Sequence, residues 1–246
     1  MLQEYKNHVE ERASLGIPPL PLNAEQTASV VELLKNPPEG EASLLLDLLT
    51  NRTPAGVDPA AYIKAAFLTD LAKGEATSPL INKEDATRLL GTMLGGYNVE
   101  SLIDLLKDEE VGEIAADGLA KTLLMFNSKH DVIELAKENK NAQRVVNSWT
   151  NAEWFTSKPE LPKIIKAIVF RVDGEINTDD LSPAPDAPSR PDIPLHALSM
   201  LTKTFKDPIK TIEKLEESGL PVVFVGDVVG TGSARKSATN SLLSDI

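Results

Sequence analysis

The sequence predicts an array of helices, either an α-solenoid or an irregular helical bundle, followed by a smaller α/β region. Apolar residues recur at helical spacing from the N-terminus to about Phe155, without β-type alternation. A proline- and charge-containing segment follows, and alternation typical of strands first occurs after it. A chain of 246 residues can hold one large domain or two modest ones, and the change of pattern after Phe155 favours two. We therefore predict a helical domain over 1–155, a linker over 156–165 and an α/β domain over 166–246.

Several of the predicted helices have recognisable starts and stops. The first helix stops at Gly16, ahead of two prolines. Asn23 begins the second helix, and Gln26 lies three residues on as its capping-box partner. Asp58 caps a later helix whose first residue, Pro59, suits the first turn. Further helical segments are predicted at 44–49, 83–94, 98–107, 110–126, 130–138 and 141–155.

The composition excludes several kinds of chemistry within these residues. There is no cysteine, so the chain alone cannot form a disulfide, a thiolate nucleophile, a cysteine-ligated zinc site or a cysteine-held iron–sulfur cluster. The three histidines, His8, His130 and His196, lie far apart and lack a partner at ligand spacing. We therefore predict no metal site in this chain.

Net charge and hydropathy indicate which kinds of partner this chain can bind and in which cellular compartment it is expected. The formal net charge is −12, of which residues 1–160 carry −10 and residues 161–246 carry −2. An acidic first part repels phosphate backbones, which disfavours general nucleic-acid binding. No apolar run of about eighteen residues could span a bilayer, and no secretory signal opens the sequence. We expect a cytoplasmic protein without membrane contact.

The α/β region is predicted from two strands and the segments between them. Alternation at Ile168, Phe170 and Val172 indicates the first strand. Five prolines between residues 174 and 194 exclude a lasting helix or central strand there, which predicts a long functional loop. The later elements are a helix around 195–204, a helix capped by Asp207 and opened by Pro208, a buried strand over 221–225, a glycine-rich loop from Gly226 and a final helix.

The glycine-rich loop carries the most informative chemistry. Glycines after a strand let the backbone present N–H groups, and the following helix adds the positive end of its dipole. Ser233, Arg235 and Lys236 would lie at that end, which favours an anion site over the alternative of an ordinary tight turn. The run from Gly230 to Ser237 departs from a phosphate-binding P-loop because Arg235 replaces the second glycine. Its guanidinium instead suits a carboxylate.

The proline-rich loop supplies matching groups. Asp179 lies among polar residues just past the first strand, and Arg190 offers a second guanidinium. Taken alone, each is better explained as a turn former or a solvated charge. Two arginines, a carboxylate and a loop serine in one domain would nevertheless suit a di- or tricarboxylate substrate.

Several motifs together resemble one family, the aconitases. They are Gly-x-Gly-Ser-x-Arg at 230–235, Asn-Thr-Asp-Asp-Leu-Ser-Pro-Ala at 177–184 and Arg-Pro-Asp-Ile-Pro-Leu-His-Ala at 190–197, with further likeness at 34–38, 45–52 and 90–98. The first three resemble the aconitase swivel domain, and the last three resemble the N-terminal segment of the bacterial aconitase B branch. The resemblance covers essentially the whole chain. It implies an α-helical HEAT-like domain followed by a partial α/β swivel domain.

The resemblance also implies an activity and the residues that perform it. Members of this branch are aconitate hydratases of the tricarboxylic acid cycle, which interconvert citrate and isocitrate through cis-aconitate and also dehydrate 2-methylisocitrate. By position, Ser233 matches the serine whose alkoxide removes the substrate proton. Arg190 and Arg235 match carboxylate-binding arginines, and Asp179 matches an active-site aspartate. Ala234 stands where the family commonly has a second serine, so only its backbone N–H remains to contact substrate.

A cofactor and partners are implied in the same way. The family holds a [4Fe–4S] cluster on three cysteines of later domains, so this chain is expected to be an N-terminal portion with a truncated swivel domain, inactive alone. The implied partners are a tricarboxylate substrate, a second copy or another protein bound through the helical domain, and RNA. The alternative is a non-catalytic helical scaffold or interaction module that retains a vestigial swivel motif.

Overall fold

The computed structural model describes nearly the whole chain. The described residues are 1–93, 95–122 and 124–243. The predicted helices 83–94 and 110–126 include Leu94 and Leu123, and the predicted α/β domain includes residues 244–246. Those five residues lie outside the described ranges.

Internal contacts divide the chain into two units. The helical unit consists of Met1 and Leu20–Glu160, and the α/β unit consists of Leu2–Pro19 together with the chain from Leu161 onward. The predicted domain 1–155 includes the first helix, α1 (Leu2–Ser14), whereas contacts group α1 with the α/β unit. The domain boundaries thus remain a prediction, with α1 as the point of difference.

The described part of the helical unit forms nine α-helices, one more than the sequence predicts, because the predicted helix 141–155 is interrupted at Ala152, whose φ is 51°. They are α2 (Ala24–Lys35), α3 (Ala42–Asn51), α4 (Pro59–Lys73), α5 (Lys83–Gly91), α6 (Val99–Leu105), α7 (Gly112–Lys121), α8 (Lys129–Leu135), α9 (Lys140–Thr150) and α10 (Glu153–Thr156). Each packs mainly on its first or second neighbour along the chain: α2 on α3 and α4, α5 on α4 and α7, and α9 on α7 and α8. This local packing confirms the predicted helical array and is typical of a solenoid.

Caps and close helix contacts define these helices. Asn23 and Gln26 form the predicted capping box, each side chain accepting a hydrogen bond from the other's backbone N–H, at 2.9 Å and 3.0 Å. The Asp58 side chain accepts from the Ala60 N–H at 2.8 Å, ahead of Pro59 in the first turn. A Cβ on Gly118 would lie 2.8 Å from the Cα of Gly91, so α5 and α7 approach as closely as glycine allows. None of the helices in the described ranges is long and apolar enough to cross a membrane.

Two short parallel strand pairs support the α/β unit. Its elements after α1 are β1 (Ile168–Arg171), β2 (Glu175–Asn177), α11 (Thr178–Leu181), α12 (Ile193–Ala197), α13 (Pro208–Glu216), β3 (Val222–Val225), β4 (Val228–Thr231) and α14 (Arg235–Leu242). β1 pairs with β3, and β2 pairs with β4. Phe170 packs edge-on against Phe205 and Phe224 in the core, which continues through Ile176 and Ile212.

Five predictions for this unit were wrong in detail. β2 and β4 lie in segments predicted to be loops, because each is short and is stabilised by its distant partner rather than by local pattern. β3 is half-exposed rather than buried, since Val223 and Val225 face solvent. The helix predicted at 195–204 ends at Ala197. Asp207 adopts a left-handed conformation (φ 50°) and its side chain does not cap α13.

Within the α/β unit, an ion pair connects the first helix to the start of α12. Arg12 Nη1 donates to Asp192 Oδ2 at 2.6 Å, and the side chains are only 10% and 21% exposed. Asp192 also caps α12 by accepting from the Leu195 N–H at 2.8 Å. Partial burial opposes ionisation, but the hydrogen bonds from Arg12 and Leu195 outweigh it and lower the pKa of Asp192. One carboxylate therefore joins α1 to the start of α12.

Candidate functional site

The candidate site lies where β2 and β4 end side by side. The two strands are parallel, and Asn177 lies opposite Thr231 at their carboxyl ends. The register shifts between Ile176 and Asn177, opposite Gly230, whose φ is 83°. Such a bulge turns the chain that follows it. Both segments that carry predicted site residues therefore leave the sheet at the same edge.

After β2, the backbone turns at once into the short helix α11. The Asn177 side chain accepts from the N–H groups of Asp179 and Asp180, both at 2.8 Å. Asp180 Oδ2 in return accepts from the Asn177 N–H at 3.0 Å, which completes a capping box. The Asp180 side chain is therefore occupied by this cap, whereas the neighbouring Asp179 side chain is exposed to solvent. Of the two aspartates, Asp179 is the one available to a ligand.

After β4, the loop 232–234 leads directly into α14. Gly232 has a φ of 99°, and a Cβ added to it would lie 2.5 Å from Thr178 Oγ1, so only glycine fits this approach. Ser233 follows and is exposed. Arg235 begins α14, and its Nε donates to the Gly232 carbonyl oxygen at 3.4 Å. Ser233 is thus held in a tight loop with a guanidinium beside it.

The start of α14 has the electrostatics that the sequence predicts for an anion site. No side chain caps this helix at Ala234. The first N–H groups of an α-helix lack partners within the helix and carry a partial positive charge. Arg235 and Lys236 add two exposed cations in the first turn. A carboxylate at Ser233 would meet positive charge from both the backbone and these side chains.

One hydrogen bond joins the two segments. The Ala234 N–H donates to Thr178 Oγ1 at 3.2 Å, across a sequence separation of 56 residues. Asp179 follows Thr178 along the chain and Ser233 precedes Ala234, so the bond joins the neighbours of both predicted site residues. It also corrects the expectation that the Ala234 N–H is free for substrate, because the chain itself uses that donor. The assignment of Ala234 to the substrate site remains a prediction.

Arg190 is connected to the candidate site less directly. Its backbone N–H donates to the Asp186 carbonyl at 3.0 Å, and its Nη1 donates to the Leu195 carbonyl at 3.4 Å. These bonds hold it half-buried at the start of α12, which packs against α14, as α11 does. The fold therefore joins the segments of Asp179, Ser233 and Arg235 by a hydrogen bond, and the segment of Arg190 by helix packing.

These residues do not fit an iron–sulfur cluster. The sequence has no cysteine. Among the residues that the structure describes, no three histidine, aspartate or glutamate side chains converge as metal ligands would. The described residues therefore offer no set of ligands for such a cluster.

Thr178 is the residue of this site that sequence reasoning missed. It is 1% exposed, and its hydroxyl contacts the loop that bears Ser233. The available signal was the Asn177 and Asp180 pair, whose spacing marks the start of a helix and places Thr178 in its first turn. The partner 56 residues away has no local signal.

Comparison with known proteins identifies the family to which the two parts of the chain are similar. A family model described as the aconitate B N-terminal domain matches residues 4–155, and one described as the aconitate hydratase 2 N-terminus matches residues 167–246. The chain is 60% identical over 255 residues to aconitate hydratase B of Pseudomonas aeruginosa and 58% identical over 254 residues to that of Escherichia coli. It is 57% identical over 245 residues to aconitate hydratase B of Synechocystis.

These alignments cover nearly all of this chain but a minor part of each relative. They include 99% of the chain and 29%, 29% and 28% of the three relatives, respectively. The chain thus spans less than a third of the length of the curated relatives that it matches. The first family model alone covers more than half of the chain. The chain therefore belongs to the family of the aconitate B N-terminal domain.

Proposed function

We propose that the chain is the N-terminal portion of an aconitate hydratase, a hydro-lyase that interconverts citrate and isocitrate through cis-aconitate and also dehydrates 2-methylisocitrate. The observation that carries the proposal is the junction between α11 and the loop 232–234, which brings Asp179, Ser233 and Arg235 to one edge of the sheet. The relatives named as hydratases favour this function over a stand-alone scaffold.

In this proposal, Ser233 acts on a proton and the arginines hold carboxylates. A serine hydroxyl is a weak base, so its alkoxide needs nearby positive charge. The uncapped start of α14 and the guanidinium of Arg235 supply that charge. The alkoxide would take the proton from the carbon next to a substrate carboxylate. Arg235 and Arg190 would bind substrate carboxylates as planar forks, and Asp179 would contact the substrate from α11.

The cluster belongs to the whole protein in this proposal. The family resemblance implies a [4Fe–4S] cluster, but this chain offers it no ligands. The ligands would then come from residues beyond these 246, and the chain alone would be inactive. We also propose a cytoplasmic location, consistent with the absence of a membrane-spanning helix among the described residues.

The test of the proposal is Ser233→Ala in the complete enzyme. We expect kcat to fall by about a hundredfold to ten-thousandfold, the usual worth of a general base. Ser29→Ala in α2 is the matched control and should leave kcat unchanged. The visible absorbance of the cluster should be the same in both variants. Near-normal turnover of Ser233→Ala with a full cluster would remove Ser233 as the base.

A second variant separates binding from chemistry. Arg235→Lys keeps the positive charge and loses the bidentate fork. We expect it to raise KM for citrate more than it lowers kcat. A fall in kcat at constant KM would assign Arg235 to the transition state rather than to substrate binding.

We also propose that the helical unit binds a second copy of the chain. The supporting observation is a groove of about 930 Å³ within this unit, lined by exposed aromatic side chains. Phe126 is 80% exposed and Tyr62 is 58% exposed, and Tyr62 stacks edge-on with Tyr97. Isolated apolar residues on a surface are ordinary, but a contiguous apolar groove is typical of an interface. RNA binding is a weaker proposal, because residues 1–160 carry a net charge of −10.

Sedimentation of the 246-residue chain tests the association. We expect the average mass to rise with concentration in the micromolar range, and Phe126→Ser to reduce that rise. Phe155→Ser is the matched control, because Phe155 is 59% exposed and lies outside the groove. A strictly monomeric chain, or equal loss in both variants, would contradict the proposal.

A further inference from the structure

The hydroxyl of Thr178 occupies a space that the loop 232–234 leaves for it. Thr178 is 1% exposed and is the first residue of α11. Its Oγ1 accepts from the Ala234 N–H at 3.2 Å and lies 2.5 Å from the position that a Cβ on Gly232 would take. The hydroxyl therefore touches the residues on both sides of Ser233. Neither contact involves Ser233 itself.

No other side chain in the described residues holds this loop from outside. The bond from Arg235 Nε to the Gly232 carbonyl is internal to the loop and the first residue of α14. Ala234 provides no side-chain cap for α14. The backbone of a loop with a glycine at φ 99° has few intrinsic restraints. β4 and α14 hold the two ends of the loop, and between them the bond to Thr178 is its side-chain connection to α11.

We propose that Thr178 is a positioning residue that fixes the direction of Ser233. The hydroxyl holds Gly232 and Ala234, and the Ser233 side chain projects from between them. Without the acceptor, the Ala234 N–H loses its partner and the loop can rotate about Gly232. The consequence for turnover rests on the proposed function, whereas the consequence for the Ala234 amide does not. These two consequences are measured separately.

The amide is tested in the 246-residue chain by hydrogen exchange followed by NMR. Thr178→Val keeps the shape of the side chain and removes the acceptor, and Thr178→Ser keeps the acceptor. We expect the Ala234 amide to be protected in the wild type and in Thr178→Ser, and to exchange at least about tenfold faster in Thr178→Val. An unprotected Ala234 amide in the wild type would overturn the inference, whether or not the variants fold.

Turnover is tested in the complete enzyme. A misplacement of the reacting group by about 1 Å can lower the rate by about a hundredfold. We therefore expect Thr178→Val to lower kcat by about ten- to hundredfold with KM within about threefold of wild type, and Thr178→Ser to restore kcat. If the Ala234 amide exchanged faster in Thr178→Val while kcat stayed unchanged, the role of Thr178 in positioning Ser233 would be overturned. A wild-type enzyme without aconitate hydration would refute the proposed function. The exchange rate of the Ala234 amide would still show whether Thr178 makes the hydrogen bond to the loop.

Discussion

A buried lysine in the helical unit provides a direct test of the energetics of this fold. Lys64 lies in α4, is 4% exposed and donates from Nζ to the Thr50 carbonyl oxygen at 3.2 Å. Thr50 belongs to the last turn of α3, where carbonyl groups lack helical partners and carry partial negative charge. Burial disfavours the ammonium and lowers the pKa of Lys64 from 10.5 to about 8. The buried ammonium therefore lowers the stability of the folded state, and its hydrogen bond to the Thr50 carbonyl offsets part of that loss.

The size and sign of the cost follow from this pKa. A lowering of about 2.5 corresponds to about 3 kcal/mol at pH 7. The hydrogen bond to Thr50 is already part of the folded state, and its loss would cost about 1 kcal/mol. We expect Lys64→Met to raise the free energy of unfolding by about 2 kcal/mol at pH 7. Between about pH 8 and pH 10.5 the unfolded state holds the extra proton, so wild-type stability rises with pH and the advantage of the variant disappears.

Urea unfolding followed by tryptophan fluorescence measures this effect in the intact chain. Both tryptophans, Trp149 and Trp154, lie in the helical unit, so their emission reports its unfolding. Lys137→Met is the control, because the Lys137 side chain is 65% exposed and pairs only at the surface. A lower stability of Lys64→Met at pH 7, or an advantage that persists at pH 10.5, would refute the reasoning. The first result would mean that the Thr50 carbonyl compensates the buried charge fully, and the second that the gain in stability does not come from removal of the charge.

Three further predictions concern the α/β unit and the whole protein. Asp192→Asn keeps the cap of α12 and weakens the ion pair with Arg12. It should lower the unfolding free energy, measured by circular dichroism, by about 1–2 kcal/mol at pH 7. Because the folded pKa of Asp192 is lowered, this difference should vanish as the pH falls below about 4. Ala234→Ser in the complete enzyme should improve citrate turnover by less than about tenfold, since it adds one hydroxyl worth about 0.5–1.5 kcal/mol; a loss would mean that the pocket has adapted to alanine. Reconstitution of the 246-residue chain should give no iron–sulfur absorbance and no aconitate hydration, and visible cluster absorbance would contradict our assignment of the ligands elsewhere.

The parts of the fold that local sequence determines were predictable. The capping box of Asn23 and Gln26 and the start of α4 at Asp58 depend on residues at most three apart, and both predictions are confirmed. Asp207 followed by Pro208 carries the same local signal, but its backbone is left-handed and the cap is absent. Local chemistry alone therefore located the helix and missed its entry geometry.

The parts that depend on distant partners were not predictable. β2 and β4 contain three and four residues, and each becomes a strand because the other is beside it. The glycine-rich loop and its serine were found from sequence, but the contact of Thr178 with Ala234 was not, because it spans 56 residues. The residues of the candidate site could thus be predicted from motifs. The strand pairing and the hydrogen bond that bring them together could not.

The attachment of α1 has a consequence for how the protein is made. Arg12 is separated from Asp192 by 180 residues, so α1 leaves the ribosome long before its partner exists. At about 5–20 residues per second, the interval is about 10–40 s. During that time Arg12, which is buried in the finished protein, has been synthesised while its ion-pair partner has not. An affinity tag on the N-terminus would therefore be joined to the helix that must later pair with Asp192, two residues along the chain from Arg190.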